Sequence, residues 1–311
     1  MKIVKTPNPS VSVCIPVWNG EEYIAMAIES VLQQSYTDYE IIIADNASTD
    51  ETVKIAQAYM QLHPQIRLQL NKENVGLVGN FNACLQLAQG KYIKFLCVDD
   101  LLAKNCLEKM VRVLDQHKEV VLVVGGRSTI DSYGHQISSQ CYSKSAYLIE
   151  GHEVINRCYF GSNYIGEPSA VMFRKAILKK EFDKSLNHLM DLEMWFYLLE
   201  QGRMANLPDV LSSIRKHKNQ MTFQSIKSGA LIHDNIALNA AYGNKYYIKN
   251  TIINKMHRKF RIAYRVWQCR ASLEENLKNK YLQEYSSPFL YRFFVEPLCS
   301  LMFVLQRFKH G

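Results

Sequence analysis

The amino-acid sequence predicts an α/β fold: a doubly wound, mainly parallel sheet with a helical C-terminal extension. Three observations predict it. Between Ser10 and Gly125, β-prone runs alternate with segments of helical period, the order expected of a sheet wound by crossover helices. Runs such as YEIIIA and VVLVVG are apolar at consecutive positions, as strands covered on both faces are. Basic charge collects late in the chain. From Lys245 to the end 13 Lys and Arg stand against 4 acids, whereas the first 244 residues hold 24 and 25. That asymmetry separates an appendage, expected over 223–311, from a main domain over 1–222.

Each element follows from its residues. Ser10–Pro16 (SVSVCIP) is a β-branched strand stopped by proline, and Val17-Trp18-Asn19-Gly20 turns the chain. Over Glu21–Gln34, Ile24, Ile28, Val31 and Leu32 recur at helical spacing. Tyr39–Ala44 is the second strand. It ends in the polar turn Asp45 to Asp50, where Thr49 or Asp50 can cap the helix Glu51–Leu62. Ile66–Leu70 is a third strand, and Asn74-Val75-Gly76 leads into the helix Val78–Ala88. The next run, Gly90 to Val98, ends in Asp99 and Asp100, and a helix over about Ala103–His117 precedes the strand Val120–Gly125.

Beyond that point the pattern is less regular. Arg127–Ile149 is polar and rich in Ser and Tyr, a loop or an irregular hairpin. Gly151–Tyr159 is helical, Gly166-Glu167-Pro168-Ser169 turns into a short strand Ala170–Phe173, and Asp191–Gln201 is a helix stopped by Gly202. Leu211–Arg215 is a late strand running into Lys216 and His217, and the sequence is helical from Thr222 to about Tyr285. Trp195 and Trp267 fall in helical patterns and read as core. The end, 287–308, is apolar and aromatic but broken by Arg292, Glu296 and Pro297. A spanning helix needs about 20 mostly apolar residues, so this segment reads as an interfacial amphipathic stretch or as a helix packed on the protein.

Composition excludes several classes. Hydrophobic residues at 48% and charged residues at 21% describe a globular chain rather than a disordered one. The eight cysteines lack metal-ligand spacing and several sit in apolar runs, which suits reduced, buried thiols in the cytoplasm. The N-terminal stretch carries no long apolar run of the kind a signal peptide needs. Basic residues beside an aromatic tail suit a membrane surface better than nucleic acid, so no nucleic-acid partner is expected.

The chemistry points to strand ends. Charged side chains are rarely buried unless paired or metal-bound, and in open α/β sheets ligands sit beyond the carboxyl ends of the strands. Asn19, Asp45 and the pair Asp99–Asp100 all fall there, and hard carboxylate oxygens suit Mg²⁺ or Mn²⁺ and phosphates. The alternative for the Asp pair is a loop that caps the next helix.

Four motifs in order, VSVCIPVWNGEEYI, SVLQQSYTDYEIIIADNASTDET, ENVGLVGNFN with GKYIKFLCVDD, and MDLEMW followed by RKHKNQMT, resemble those of the family 2 glycosyltransferases, inverting enzymes with the GT-A fold. The resemblance spans about Ser10 to Thr222. It implies a nucleotide-sugar donor, with UDP the first expectation, and transfer to a hydroxyl of a cell-surface glycan or lipid-linked acceptor. It implies that Pro16, Val17, Trp18 and Asn19 line the nucleotide pocket together with Asn74, and that Asp45 reads the base. By the same resemblance Asp99 holds Mn²⁺ or Mg²⁺ on the diphosphate with Asp100 beside it, and Asp191 is the general base. The Arg-x-His element places Arg215 and His217 at the phosphates, with His217 a further candidate metal ligand; its alternative is an ordinary basic loop. Glu167 could face acceptor hydroxyls or simply shape a turn. Two departures stand out. Many members carry an acid where Cys97 stands, and many carry an Arg where Phe81 stands.

Two other readings were weighed. A sugar nucleotidyltransferase would show a Gly-rich, basic loop after the first strand, whereas PVWNGEEYI has one Gly and no Lys or Arg. A non-catalytic sugar-nucleotide-binding protein would have no need of Asp45, Asp99 and Asp191 together. Peripheral membrane contact is expected through 287–308, on the inner face of the membrane.

Overall fold

The computed structural model describes residues 8–145, 147–217 and 230–269, with single positions between 273 and 283. Two compact units are present. One comprises 1–184 with 190–217, the other 185–189 with 218–311. Lys218 and the segment 287–308 lie outside the described residues, as does the side chain of Trp267.

The first unit is built on one ten-stranded sheet in the order β3-β2-β1-β4-β9-β6-β10-β5, with β7 added beside β6 and β8 beside β10. Its strands are β1 (Val11–Val17), β2 (Tyr39–Asp45), β3 (Ile66–Leu70), β4 (Tyr92–Phe95), β5 (Leu101–Leu102), β6 (Val120–Ile130), β7 (Gln136–Gln140), β8 (Tyr147–Glu150), β9 (Val171–Arg174) and β10 (Arg203–Arg215). The helices are α1 (Ile24–Leu32), α2 (Thr52–Leu62), α3 (Gly76–Leu87), α4 (Cys106–Gln116), α5 (Gly151–Phe160) and α6 (Met190–Leu199). β3, β2, β1 and β4 are parallel neighbours, and so are β6 and β10. β9 runs antiparallel to both β4 and β6 and joins the two parallel groups. The predicted α/β sheet with its wound helices is therefore present.

Local chemistry explains the elements. Every residue of β1 is buried, and so is every residue of β2 after Tyr39, as expected for strands covered on both faces. α1 buries Ile24, Ala27, Ile28 and Val31 and leaves its other face to water. β6 continues five residues past the expected stop at Gly125. Its partner β10 bulges at Leu207 to Val210 around Pro208, which cannot donate to the ladder. The polar stretch 127–149 resolves into a hairpin of β6 and β7, then β8. β7 is exposed at all five positions, so it carried no apolar signal in the sequence.

Beside the parallel strands, Phe81, Phe95, Phe173, Phe182 and Trp195 form one buried aromatic group. The ring centroids of Phe81 and Phe95 are 4.7 Å apart and those of Phe173 and Trp195 5.7 Å. Trp195 is core, as its helical pattern predicts. Phe81, where relatives of the motif carry Arg, faces this core and not the strand ends. Cys14, Cys84 and Cys106 are buried free thiols.

In the second unit, α7 (Ala230–Tyr242) and α8 (Ile252–Cys269) are the described helices. Arg258 Nε donates to Asn239 Oδ1 at 2.9 Å and ties α8 to α7. The buried carboxylate of Asp234 accepts from the backbone N–H groups of Asn187, His188 and Leu189, so its charge is met by three donors. Among the described residues no helix is long and apolar enough to cross a membrane.

Candidate active site

The parallel register sets the site. Val17 pairs with Asp45 at the ends of β1 and β2, and Leu96 just past β4 donates to Cys14 O, so all three strand ends open on one edge. Two corners form there, of different chemistry.

The first corner is built of amides around one carboxylate, Asp45. Past β1, Asn19 adopts φ 49°, a left-handed conformation Asn tolerates better than most residues. Its Oδ1 accepts from Thr49 N at 2.8 Å, and its own N–H donates to Ser48 Oγ at 2.9 Å, which locks the first strand-end turn to the second. Trp18 stands half exposed beside it, while Pro16 and Val17 are buried in β1. Behind the turn runs a chain of amides. Asn46 Nδ2 donates to Asn74 Oδ1 at 2.9 Å, Asn71 Nδ2 to Asn80 Oδ1 at 3.0 Å, and Asn80 Nδ2 to Ala44 O at 2.9 Å. Asn74 also accepts from Gly76 N, so it braces the turn it was expected to line. Asp45 is 2% exposed. Its Oδ2 accepts from Ser48 N, but Oδ1 is buried with no hydrogen-bond partner. A buried carboxylate oxygen left unmet costs on the order of 1–3 kcal/mol or more, and a ligand N–H would relieve it.

The second corner is charged. Asp99 Oδ2 lies 3.0 Å from His217 Nε2, and both side chains are about one-fifth exposed. Asp100 is buried and accepts from Arg215 N at 3.0 Å. Burial and the neighbouring Asp99 push its carboxyl well above the ordinary carboxylate range. Arg215 is 1% exposed. Its Nε donates to Asp99 O at 2.9 Å, its Nη1 to Asp131 O and Ser132 O at 3.1 Å each, and its guanidinium lies 4.8 Å from the centre of the Tyr23 ring. These contacts make Arg215 a clamp that fixes the acidic loop to the β6–β7 turn and to the residue before α1. Tyr23 also packs 5.4 Å from the His217 ring, and its burial and the adjacent Glu22 raise its phenol to about 12.

Beneath this corner lies a residue the motif reading passed over. Lys94 is fully buried in β4 and donates to Ser169 O and Val171 O. Burial lowers its pKa. Ser169 in turn accepts from Cys97 N at 2.9 Å. Lys94 and Ser169 therefore hold the acidic loop against the turn that carries Glu167. A lysine in the apolar run YIKFL was the available signal. Gly166, at φ +114°, makes that turn, and its carbonyl accepts from Trp195 Nε1. Glu167 Oε2 is 2.7 Å from Arg127 Nε, an ion pair lacking hydrogen-bond alignment.

Asp191, at the start of α6, is half-buried, and its Oδ1 accepts from Leu192 N at 2.7 Å. Burial raises the Cys97 thiol well above its ordinary range, and the charges of Asp100, Asp99 and Asp191 push it the same way. Asp191 therefore stands within electrostatic reach of the acidic loop, although it lies far along the chain. Glu167 acts on Asp100 in the same sense. Cys97, hydrogen-bonded to Ser169, thus carries the acidic loop past the turn of Glu167.

Among the described residues no three His, Cys, Asp or Glu side chains gather as a ready metal cage. Asp99 and His217 together offer one hard oxygen and one imidazole, and such a pair fits an Mg²⁺ or Mn²⁺ ion whose remaining ligands are water and substrate phosphate.

Fold and site together define an α/β protein whose strand ends gather amides, carboxylates and an imidazole. The family model for glycosyl transferase family 2 matches residues 12–182, and the chain belongs to that family. EpsE of Bacillus subtilis is 40% identical over 128 residues, which span 41% of this chain and 46% of EpsE, so the chain covers less than half of that relative. Two solved structures share the fold. TarS 1–349 of S. aureus in complex with UDP-GlcNAc aligns with TM-score 0.59 and 16% identity over 93% of this chain and 88% of that one. The mannosyltransferase PcManGT of Pyrobaculum calidifontis in complex with GDP-Man and Mn²⁺ aligns with TM-score 0.59 and 17% identity over 93% and 84%. The sheet is thus of the GT-A type.

Proposed function

We propose that this glycosyltransferase inverts configuration, transferring a sugar from a UDP-linked donor to a hydroxyl of a cell-surface glycan or lipid-linked acceptor. The observation that carries the donor reading is Asp45 Oδ1, a buried acceptor without a partner beside the Asn19 turn. Uracil presents a ring N–H between two carbonyls and guanine a ring N–H between a carbonyl and an amine, whereas adenine and cytosine present a bare ring nitrogen there. Such an oxygen selects the first pair. The structural neighbours carry UDP-GlcNAc and GDP-Man, one base of each kind.

In this reading the amide corner holds the nucleoside and the charged corner the diphosphate. Asp99 and His217 would hold a divalent cation, which neutralises charge on the departing diphosphate. Asp191 Oδ2 accepts the acceptor hydroxyl proton as that oxygen bonds to the anomeric carbon from the face opposite the leaving group. The sugar–phosphate bond breaks, its electron pair leaves on the nucleoside diphosphate, and configuration inverts. Glu167, held by Arg127, orients acceptor hydroxyls. The domain division, with transfer in 1–222 and the basic extension in 223–311, and attachment to the inner face of the membrane through 287–308 belong to the same proposal.

Asp191→Asn tests the base. General-base catalysis is worth about 10²–10⁴-fold. The variant should lose that much transfer with UDP-sugar binding by calorimetry unchanged. Full activity removes Asp191 from the mechanism, and release of pyrophosphate instead of UDP removes transferase chemistry of this kind.

A further inference from the structure

Between Asp234 and Glu274 the chain carries no acidic side chain, yet it holds eight Lys and Arg. Within that stretch, the connection from α7 to α8 and the first turns of α8 expose large apolar side chains. Tyr246 is 89% exposed, Ile252 and Ile253 are each 78%, and Met256 is 66%. Monomeric soluble domains seldom leave such residues clustered without a purpose. The connection is well built. Ile248 is buried, Asn250 and Asn254 side-chain amides donate to Gly243 O and Lys249 O, and Thr251 Oγ1 accepts from Asn254 N at the start of α8. Further along, Ala263 and Val266 are buried. Ile252 and Met256 share their helical face, so the apolar stripe of α8 runs out of cover toward its N-terminus. Around the apolar side chains, Lys245, Lys249, Lys255 and Lys259 are all exposed.

We infer that this knuckle, Lys245–Lys259, is a docking surface for an anionic lipid bilayer. Exposed apolar side chains interleaved with lysines, in a stretch of 235–273 that holds no acid, match a membrane interface: the lysines meet headgroup phosphates and the apolar side chains enter the acyl boundary. A second copy of the same surface would repel through its lysines. Nucleic acid would use the lysines but has no need of Ile252, Ile253 and Met256. The segment 287–308 sets Arg292 and Arg307 against the single acid Glu296, so its own balance is basic and a poor match for four lysines. The inference stands on the second unit alone and does not depend on the transferase reading.

Flotation of the full-length protein with vesicles tests it. Vesicles containing phosphatidylglycerol should bind the protein and vesicles of phosphatidylcholine alone should not. Replacing Lys245, Lys249, Lys255 and Lys259 together by Gln should weaken binding on the order of 1000-fold. Replacing Ile252, Ile253 and Met256 together by Ser should weaken it about tenfold or more. Circular dichroism should be unchanged for both variants, because every substituted side chain is exposed. Wild-type binding by either variant overturns the inference. So does equal binding to neutral vesicles, or duplex RNA displacing the protein from vesicles through the lysines while the Ser variant binds lipid normally.

Discussion

The two corners of the site differ in the currency of their contacts. At the ends of β1 and β2, neutral amides bond to one another and to backbone carbonyls: Asn46 to Asn74, Asn71 to Asn80, Asn80 to Ala44. At the end of β4, charges dominate: Asp99 against His217, Asp100 under Arg215, Lys94 below. A neutral hydrogen bond contributes about 1 kcal/mol net and is nearly indifferent to salt, so the amide chain of the first corner, with Asp45 its one buried carboxylate, keeps its form whatever the medium. Buried charges are costly unless each is met, so the second corner depends on protonation and on cations. Recognition of the base and handling of the diphosphate are thereby separable.

Chelation should break the two apart most sharply. Removing divalent cations should lower sugar transfer by about a hundredfold or more, and leave uridine binding by calorimetry unchanged. Equal loss of both would show one coupled site. Arg215→Met comes next. It removes the three charge-assisted donors that hold Asp99 O, Asp131 O and Ser132 O, so denaturant unfolding should show a loss of about 3–5 kcal/mol. Asn80→Ala should cost less, about 1–3 kcal/mol, and the loss should not change with added salt. The smallest effect concerns pH. The Asp100 carboxyl is raised in the folded state, so its contribution is fully present below the unfolded carboxylate value of 3.8 and is lost as pH rises through the folded value. Asp100→Asn removes that dependence. The melting temperature of the variant should gain on the wild type as pH increases from acid toward neutrality, and a constant difference would show that the Asp100 carboxyl titrates alike in the folded and unfolded chains.

The legible parts of the fold were those whose signal is local. β1, β2, β4 and β6 are written as apolar runs, and their ends carry Asn19, Asp45 and Asp99 by adjacency in sequence. β7 has no apolar period because all of it faces water, and β9 inserts between β4 and β6 through pairings that no local pattern encodes. The site divides in the same way. Asp99 and Asp191 were read from motif position. The clamp of Arg215, the strut of Lys94 on Ser169 and the bracing role of Asn74 depend on backbone carbonyls and amides delivered from distant segments, so side-chain type alone suggested phosphate or pocket contacts for Arg215 and Asn74. Phe81 reads as an anomaly by motif and as core by packing, because its ring stacks on Phe95.

Arg215 also orders events in time. Its contact with Asp99 O closes a sequence separation of 116 residues, and it lies at the end of the last strand of the sheet. A chain emerging from the ribosome can pair β1, β2, β3 and β4 and form the amide corner early. The acidic loop acquires its clamp only when residue 215 is clear. During synthesis the protein should pass through a stage able to hold a nucleoside while still unable to assemble its charged centre, which keeps the chemistry silent until the whole sheet is closed.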